Sequence, residues 1–206
     1  MPYIAINESR DPLVGIWKIE EEEDFFEGKI DFQPKSTNSN KRIQQYASRL
    51  ILEKLSPGFP LNQISIRNGG KPSLEGSPVQ FNVSHTNEYA AGIICKEKQV
   101  GIDIEKIDVR VCRVMKKFLN TDELQSVSLL DETEKISLLT LYWSIKETVY
   151  KWWGLGFVDF ANQIHILSPQ LSNESTINVI FHGETMMPLK VSCLEIEGHW
   201  LTYLAH

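Results

Sequence analysis

The chain has 206 residues, 42% of them hydrophobic and 23% charged, with a formal net charge of −6. That length suits one domain with a core large enough to need no staples, and the composition excludes disorder and fibres. Three cysteines without a CxxC pair exclude a disulfide framework or a zinc ribbon, and no apolar run approaches the roughly 20 residues that span a bilayer.

The first residues, MPYIAINESRDP, lack the basic start and apolar run of a signal peptide, so a cytoplasmic protein is expected. Six acids follow within eight residues: Glu20, Glu21, Glu22, Glu23, Asp24 and Glu27. They account for the whole net charge, and nucleic acid is not an expected partner of the balanced remainder. The run reads as a solvated helix face.

STNSN at 36–40 is a loop, and 41–55 reads as an amphipathic helix behind Asn40, with Ile43, Ala47, Leu50, Ile51 and Leu55 on one side. Asn68-Gly69-Gly70 marks a turn, and GSP at 76–78 a loop. Strands are expected at 79–84, 90–96 and 100–107. A helix over 109–119 would show Arg110, Arg113, Lys116 and Lys117 within about a 120° arc, opposite Val111, Cys112, Met115, Phe118 and Leu119. Asn120 and Glu123 have capping-box spacing. A long helix over 134–153 stops at Gly154, and strands follow at 163–167, 176–181, 189–196 and 200–204. Strands and helices in blocks favour α+β. Val14-Gly15-Ile16 and Val100-Gly101-Ile102 form a faint internal echo, a hint of two similar halves divided near residue 99.

Four stretches can carry chemistry. On a strand over Val100-Gly101-Ile102-Asp103-Ile104-Glu105, the two carboxylates share one face ~6.6 Å apart, an arrangement that repels itself unless a cation intervenes. Glu147 and Lys151 are four apart on the long helix, one turn after Trp143. They are a third carboxylate and a cation for phosphate, or a surface ion pair worth ~0.3–0.5 kcal/mol. Ser84 and His85 end a strand, where both can donate to a phosphate oxygen or simply cap a turn. The face of Arg110, Arg113, Lys116 and Lys117 suits an acidic partner or solvent.

Taken together and in order, Gly70-Lys71-Pro72, Phe81-Asn82-Val83-Ser84-His85, Gly101-Ile102-Asp103-Ile104-Glu105 and Trp143-Ser144-Ile145-Lys146-Glu147-Thr148-Val149-Tyr150-Lys151 resemble the Sfp-type 4′-phosphopantetheinyl transferase family. Phe118-Leu119 with Glu123 also fits, and the likeness covers residues 41 to 156. It implies a monomer of two α+β halves related by a pseudo-twofold, 1–99 and 100–206, with the active site in the cleft between them. The implied reaction moves phosphopantetheine from coenzyme A to a serine of an apo acyl, peptidyl or polyketide carrier protein, releasing adenosine 3′,5′-bisphosphate.

By the resemblance, Asp103, Glu105 and Glu147 would hold magnesium, or manganese. Ser84, His85 and Arg42 would bind the 3′-phosphate end, and Lys71 with Pro72 would border the adenine. Lys151 would neutralise the pyrophosphate, and Glu147 would take the serine proton, directly or through a metal-bound water. Arg110, Arg113, Lys116 and Lys117 would dock the carrier. A magnesium-dependent phosphoesterase using the same carboxylates, or a non-catalytic coenzyme A or carrier binder, are the rival readings. His165, His182, His199 and His206 read as structural or exposed.

Overall fold

The computed structural model describes residues 3–30, 32–34, 36–66, 70–167 and 174–206. The first part of the chain supplies β1 (Tyr3–Asn7), β2 (Leu13–Lys18), α1 (Glu23–Phe26), α2 (Ser39–Leu55), the short ribbon β3 (Ile64–Ile66) and β4 (Pro72–Leu74), then β5 (Gln80–His85) and β6 (Tyr89–Cys95). Four of these strands form an antiparallel sheet in the order β1-β2-β6-β5.

Next come β7 (Val100–Lys106), a 3₁₀ turn (Val109–Arg113), α3 (Met115–Phe118), α4 (Thr121–Val127), α5 (Glu132–Trp153) and α6 (Phe160–Gln163). The chain closes with β8 (Ile164–Leu167), β9 (Glu174–His182), β10 (Met186–Ile196) and β11 (His199–Ala205). The second sheet is antiparallel in the order β7-β11-β10-β9-β8. The fold is α+β, and no described helix is long and apolar enough to cross a membrane.

Strand alternation turns these elements into layers. Trp17, Phe81, Ala90 and Ile94 face Ala47, Leu50, Ile51 and Leu55 of α2. The other face of the first sheet, with Val14, Ile16, Ala91 and Ile93, packs on Val100, Ile102, Ile104 and Leu201 of the second. Beyond it, Val179, Phe181, Val191 and Trp200 pack under Leu139, Ile145, Val149 and Trp152 of α5. The order through the molecule is helix, sheet, sheet, helix.

The Val-Gly-Ile echo has a structural meaning. In both copies the Val and Ile enter the core between the sheets, and the glycine faces the helix of its own side. A Cβ on Gly15 would come 3.3 Å from Leu55 Cδ2, and one on Gly101 would stand 2.1 Å from the Thr148 carbonyl.

Several local expectations are corrected. α2 starts at Ser39, because Asn38 rather than Asn40 caps it, its side chain accepting from the Lys41 N–H at 3.1 Å. Only the first three residues of STNSN are therefore loop. The segment 109–119 is not one helix. The Asp108 side chain accepts from the Arg110 N–H, tightening the start into 3₁₀, and the chain re-enters helix only at Met115. Even so, Arg110, Arg113, Lys116 and Lys117 are exposed, and Phe118 and Leu119 are buried. The acidic run is helical only over Glu23–Phe26, and Phe26 is fully buried.

The capping box at Asn120 is present with both of its hydrogen bonds. α5 begins two residues before the expected start, at Glu132 behind the Asp131 cap, and ends at Gly154 in the left-handed region, φ 69°. Asn68 and Gly69 of the expected turn lie outside the described residues.

Candidate active site

The outer strands β5 and β7 of the two sheets lie side by side, and α5 crosses over β7. Alternation on β7 puts Gly101, Asp103 and Glu105 on one face, as the sequence predicts, and that face is turned toward α5. Gly101 lets the helix come down far enough for side chains of α5 to reach the acids.

Asp103 is 2% exposed and fully engaged. Its Oδ1 accepts from Lys151 Nζ at 2.6 Å and from the Ser84 hydroxyl at 2.9 Å, and its Oδ2 accepts from the Ser144 hydroxyl at 2.9 Å. Lys151 Nζ also donates to Ser84 Oγ at 2.9 Å. Three elements, β5, β7 and α5, thus meet at one ammonium and one carboxylate.

Glu105 accepts from the Trp143 indole N–H at 3.0 Å. Burial and then the Asp103 charge push its carboxyl up to about 7. Glu147 is likewise pushed up to about 7 by burial and then by Asp103. The seam therefore holds more carboxylate charge than Lys151 neutralises. Burial and the Lys151 charge together depress His85.

Several of the predicted residues line two clefts. His85 and Glu105 line the larger, about 640 Å³, together with Gln44, Asp108, Arg110 and Trp143. Lys71, Pro72 and Lys151 line the smaller, about 350 Å³, with Tyr150 and Asn82. The Asn82 Oδ1 is buried without a hydrogen-bond partner in that wall. The Lys71 ammonium donates to the Trp152 carbonyl at 2.9 Å, the Val100 carbonyl at 3.1 Å and Gln99 Oε1 at 3.2 Å, clasping the end of α5 to the start of β7. Arg42 lines neither of these clefts. Its Nε is bonded to Glu23 Oε1, its Nη2 donates to Glu23 Oε2 at 2.7 Å, and its Nη1 donates to the Thr37 carbonyl at 2.9 Å. Arg110 Nε is paired with Asp108 at 2.9 Å.

A hydroxyl network stands behind Asp103, outside the predicted site residues. Thr202 Oγ1 lies 2.9 Å from Ser144 Oγ and 2.6 Å from Thr148 Oγ1, all fully buried. The available signal is the spacing Thr140, Ser144, Thr148, hydroxyls every fourth residue on one stripe of an apolar helix. Lys146 likewise lies outside the predicted site residues. It is fully buried, donating to Glu123 at 2.7 Å and to the Phe160 and Ile164 carbonyls.

Among the described residues no three His, Cys, Asp or Glu side chains already surround a common point as metal ligands do. The donor chemistry still fits a hard divalent cation. Asp103, Glu105 and Glu147 supply oxygens, and the excess negative charge at the seam is what such an ion relieves.

Fold and site thus define an α+β protein whose two sheets meet at a buried lysine–carboxylate seam. A family model for the 4′-phosphopantetheinyl transferase superfamily matches residues 99–203, more than half of the chain, which therefore belongs to that superfamily. The chain is 29% identical over 114 residues to the 4′-phosphopantetheinyl transferase Sfp of Bacillus subtilis, covering 52% of this chain and 50% of that one. It is 31% identical over 124 residues to the human L-aminoadipate-semialdehyde dehydrogenase-phosphopantetheinyl transferase, covering 52% and 40%. To the Xenopus laevis protein of that name it is 29% identical over 123 residues, covering 56% and 39%. The matched part spans about half or less of each of these relatives.

Proposed function

We propose that this chain transfers 4′-phosphopantetheine from coenzyme A to a serine hydroxyl of an apo carrier protein. The observation that carries the reading is the seam itself: Lys151 on Asp103 and Ser84, with Glu105 and Glu147 alongside, in a chain of this superfamily. Coenzyme A would lie across the seam. Its adenine end would occupy the smaller cleft of Lys71 and Pro72. Residues 1–99 would thus hold the nucleotide end, and 100–206 the reacting diphosphate.

In the reaction the serine oxygen bonds to the β-phosphorus, and the bond from that phosphorus to the bridging oxygen breaks. The bridging oxygen leaves with adenosine 3′,5′-bisphosphate. Lys151 is placed to transfer its hydrogen bonds from Asp103 to phosphate oxygens as charge grows there. The serine proton would go to Glu147. Magnesium, or manganese, held by Asp103, Glu105 and Glu147, would supply charge neutralisation on the diphosphate.

Carrier proteins as a class are acidic, and exposed Arg113, Lys116 and Lys117, with Arg110 at the rim of the larger cleft, offer them a basic surface. Reversing charge at Arg113 and Lys117 would raise the carrier KM and spare coenzyme A binding. The deciding experiment is intact-mass spectrometry of apo carrier incubated with the chain, coenzyme A and magnesium. A gain of one phosphopantetheine, lost with EDTA, is the expected result. Consumption of coenzyme A without modification of several diverse carriers would overturn it in favour of a phosphoesterase, and no change in either would leave a binding module.

A further inference from the structure

At the edge of the second sheet farthest from the seam, alternation separates two faces. Ile164 and Ile166 of β8, Val179 and Phe181 of β9, and Leu189 and Val191 of β10 turn into the core under α5. The residues between them turn the other way, onto the face that the first sheet covers at β7, β11 and the end of β10. There the His165 and His182 rings lie with centroids 4.5 Å apart, and Met186 is the direct cross-strand partner of His182. Met186 is 68% exposed, the solvent-facing neighbour of the partly buried Met187.

We propose that His165, His182 and Met186 form a surface copper site that takes Cu(I). Two imidazoles alone serve zinc, nickel or copper, whereas a thioether selects the soft monovalent ion. Directly opposed residues on antiparallel strands hold their Cβ atoms about 4.5–5.5 Å apart, and the His182 ring already meets that of His165, so all three donors can converge on one ion. The site is independent of the transferase seam, which lies at the opposite edge of the sheet.

The test is anaerobic competition for Cu(I) against bicinchoninate, on the full chain carrying Cys112→Ser. That thiol is half-exposed and would compete, whereas Cys95 and Cys193 are buried. One tightly held equivalent is expected, with the ring resonances of His165 and His182 shifting together in NMR. His165→Ala with His182→Ala should release it. Met186→Leu should weaken Cu(I) retention by more than about tenfold and leave Zn(II) binding unchanged. All three side chains lie outside the buried core, and circular dichroism verifies that the variants fold. Copper retained by the double histidine variant, full retention by Met186→Leu, or no bound equivalent in the parent each overturns the proposal.

Discussion

Strands β2 and β7 are built alike and used differently. Each places a valine and an isoleucine in the core between the sheets and a glycine under a helix. On β2 the helix-facing neighbours of the glycine are Leu13 and Trp17, which pack into the α2 core. On β7 the residues at alternate positions beyond the glycine are Asp103 and Glu105, answered from α5 by Ser144, Trp143 and Lys151. The same frame gives a hydrophobic joint on one side and a charged seam on the other. Its geometry therefore sets where groups stand, and the residues beyond the glycine decide what they do.

The comparison can be broken first where the second side relies on a buried charge. Lys146→Met leaves Glu123 buried without its cation and should cost about 3–5 kcal/mol in urea unfolding. No buried lysine plays this part among the described residues of α2. Gly101→Ala comes next. Its Cβ would meet the Thr148 carbonyl and the Trp152 amide, backbone that cannot yield, and about 3 kcal/mol or more should be lost together with activity.

Glu147→Gln separates charge from packing. Because the folded pKa is raised to about 7 from 4.5, the folded state binds more protons than the unfolded state between those values. Stability from this group is therefore lost as pH rises through that window. The variant should gain about 2 °C or more in Tm at pH 8 and nothing at pH 5, while transferase activity falls at both. The smallest effect belongs to Gly15→Ala. The new methyl meets only side chains, Tyr3 Cε2 at 2.9 Å and Leu55 Cδ2 at 3.3 Å, which can move, so about 1 kcal/mol or less is expected. Equal losses at Gly15 and Gly101 would show that the two joints are not as different as described.

What the sequence made legible follows from how local each signal is. The faces of β7 could be read because alternation is a property of the strand alone, and the Asn120–Glu123 box because both partners lie within one turn. The second use of Glu123, as the counter-ion of Lys146, was not legible, since its partner sits 23 residues away on another helix. Residues 109–119 misled because the cation spacing is the same whether the helix is continuous or broken, and the Asp108 cap decides between them. β1 escaped notice as an edge strand whose Ile4 and Ala5 are both exposed, leaving no alternation to read. The seam was half legible. Asp103, Glu105, Glu147, Ser84 and Lys151 stood out by type and spacing, but the Ser144–Thr202 support joins a helix to a strand 58 residues later.

The core between the two sheets has a consequence for how the molecule comes apart. Val14, Ile16, Ala91 and Ile93 are covered by Val100, Ile102, Ile104 and Leu201, and the converse holds. Only four residues, 96–99, connect the sheets along the chain. Separating the sheets would therefore wet both inner faces at once, while each sheet keeps the core it shares with its own helix. Amide protons of β6 and β7 should accordingly exchange together, even though they belong to different sheets.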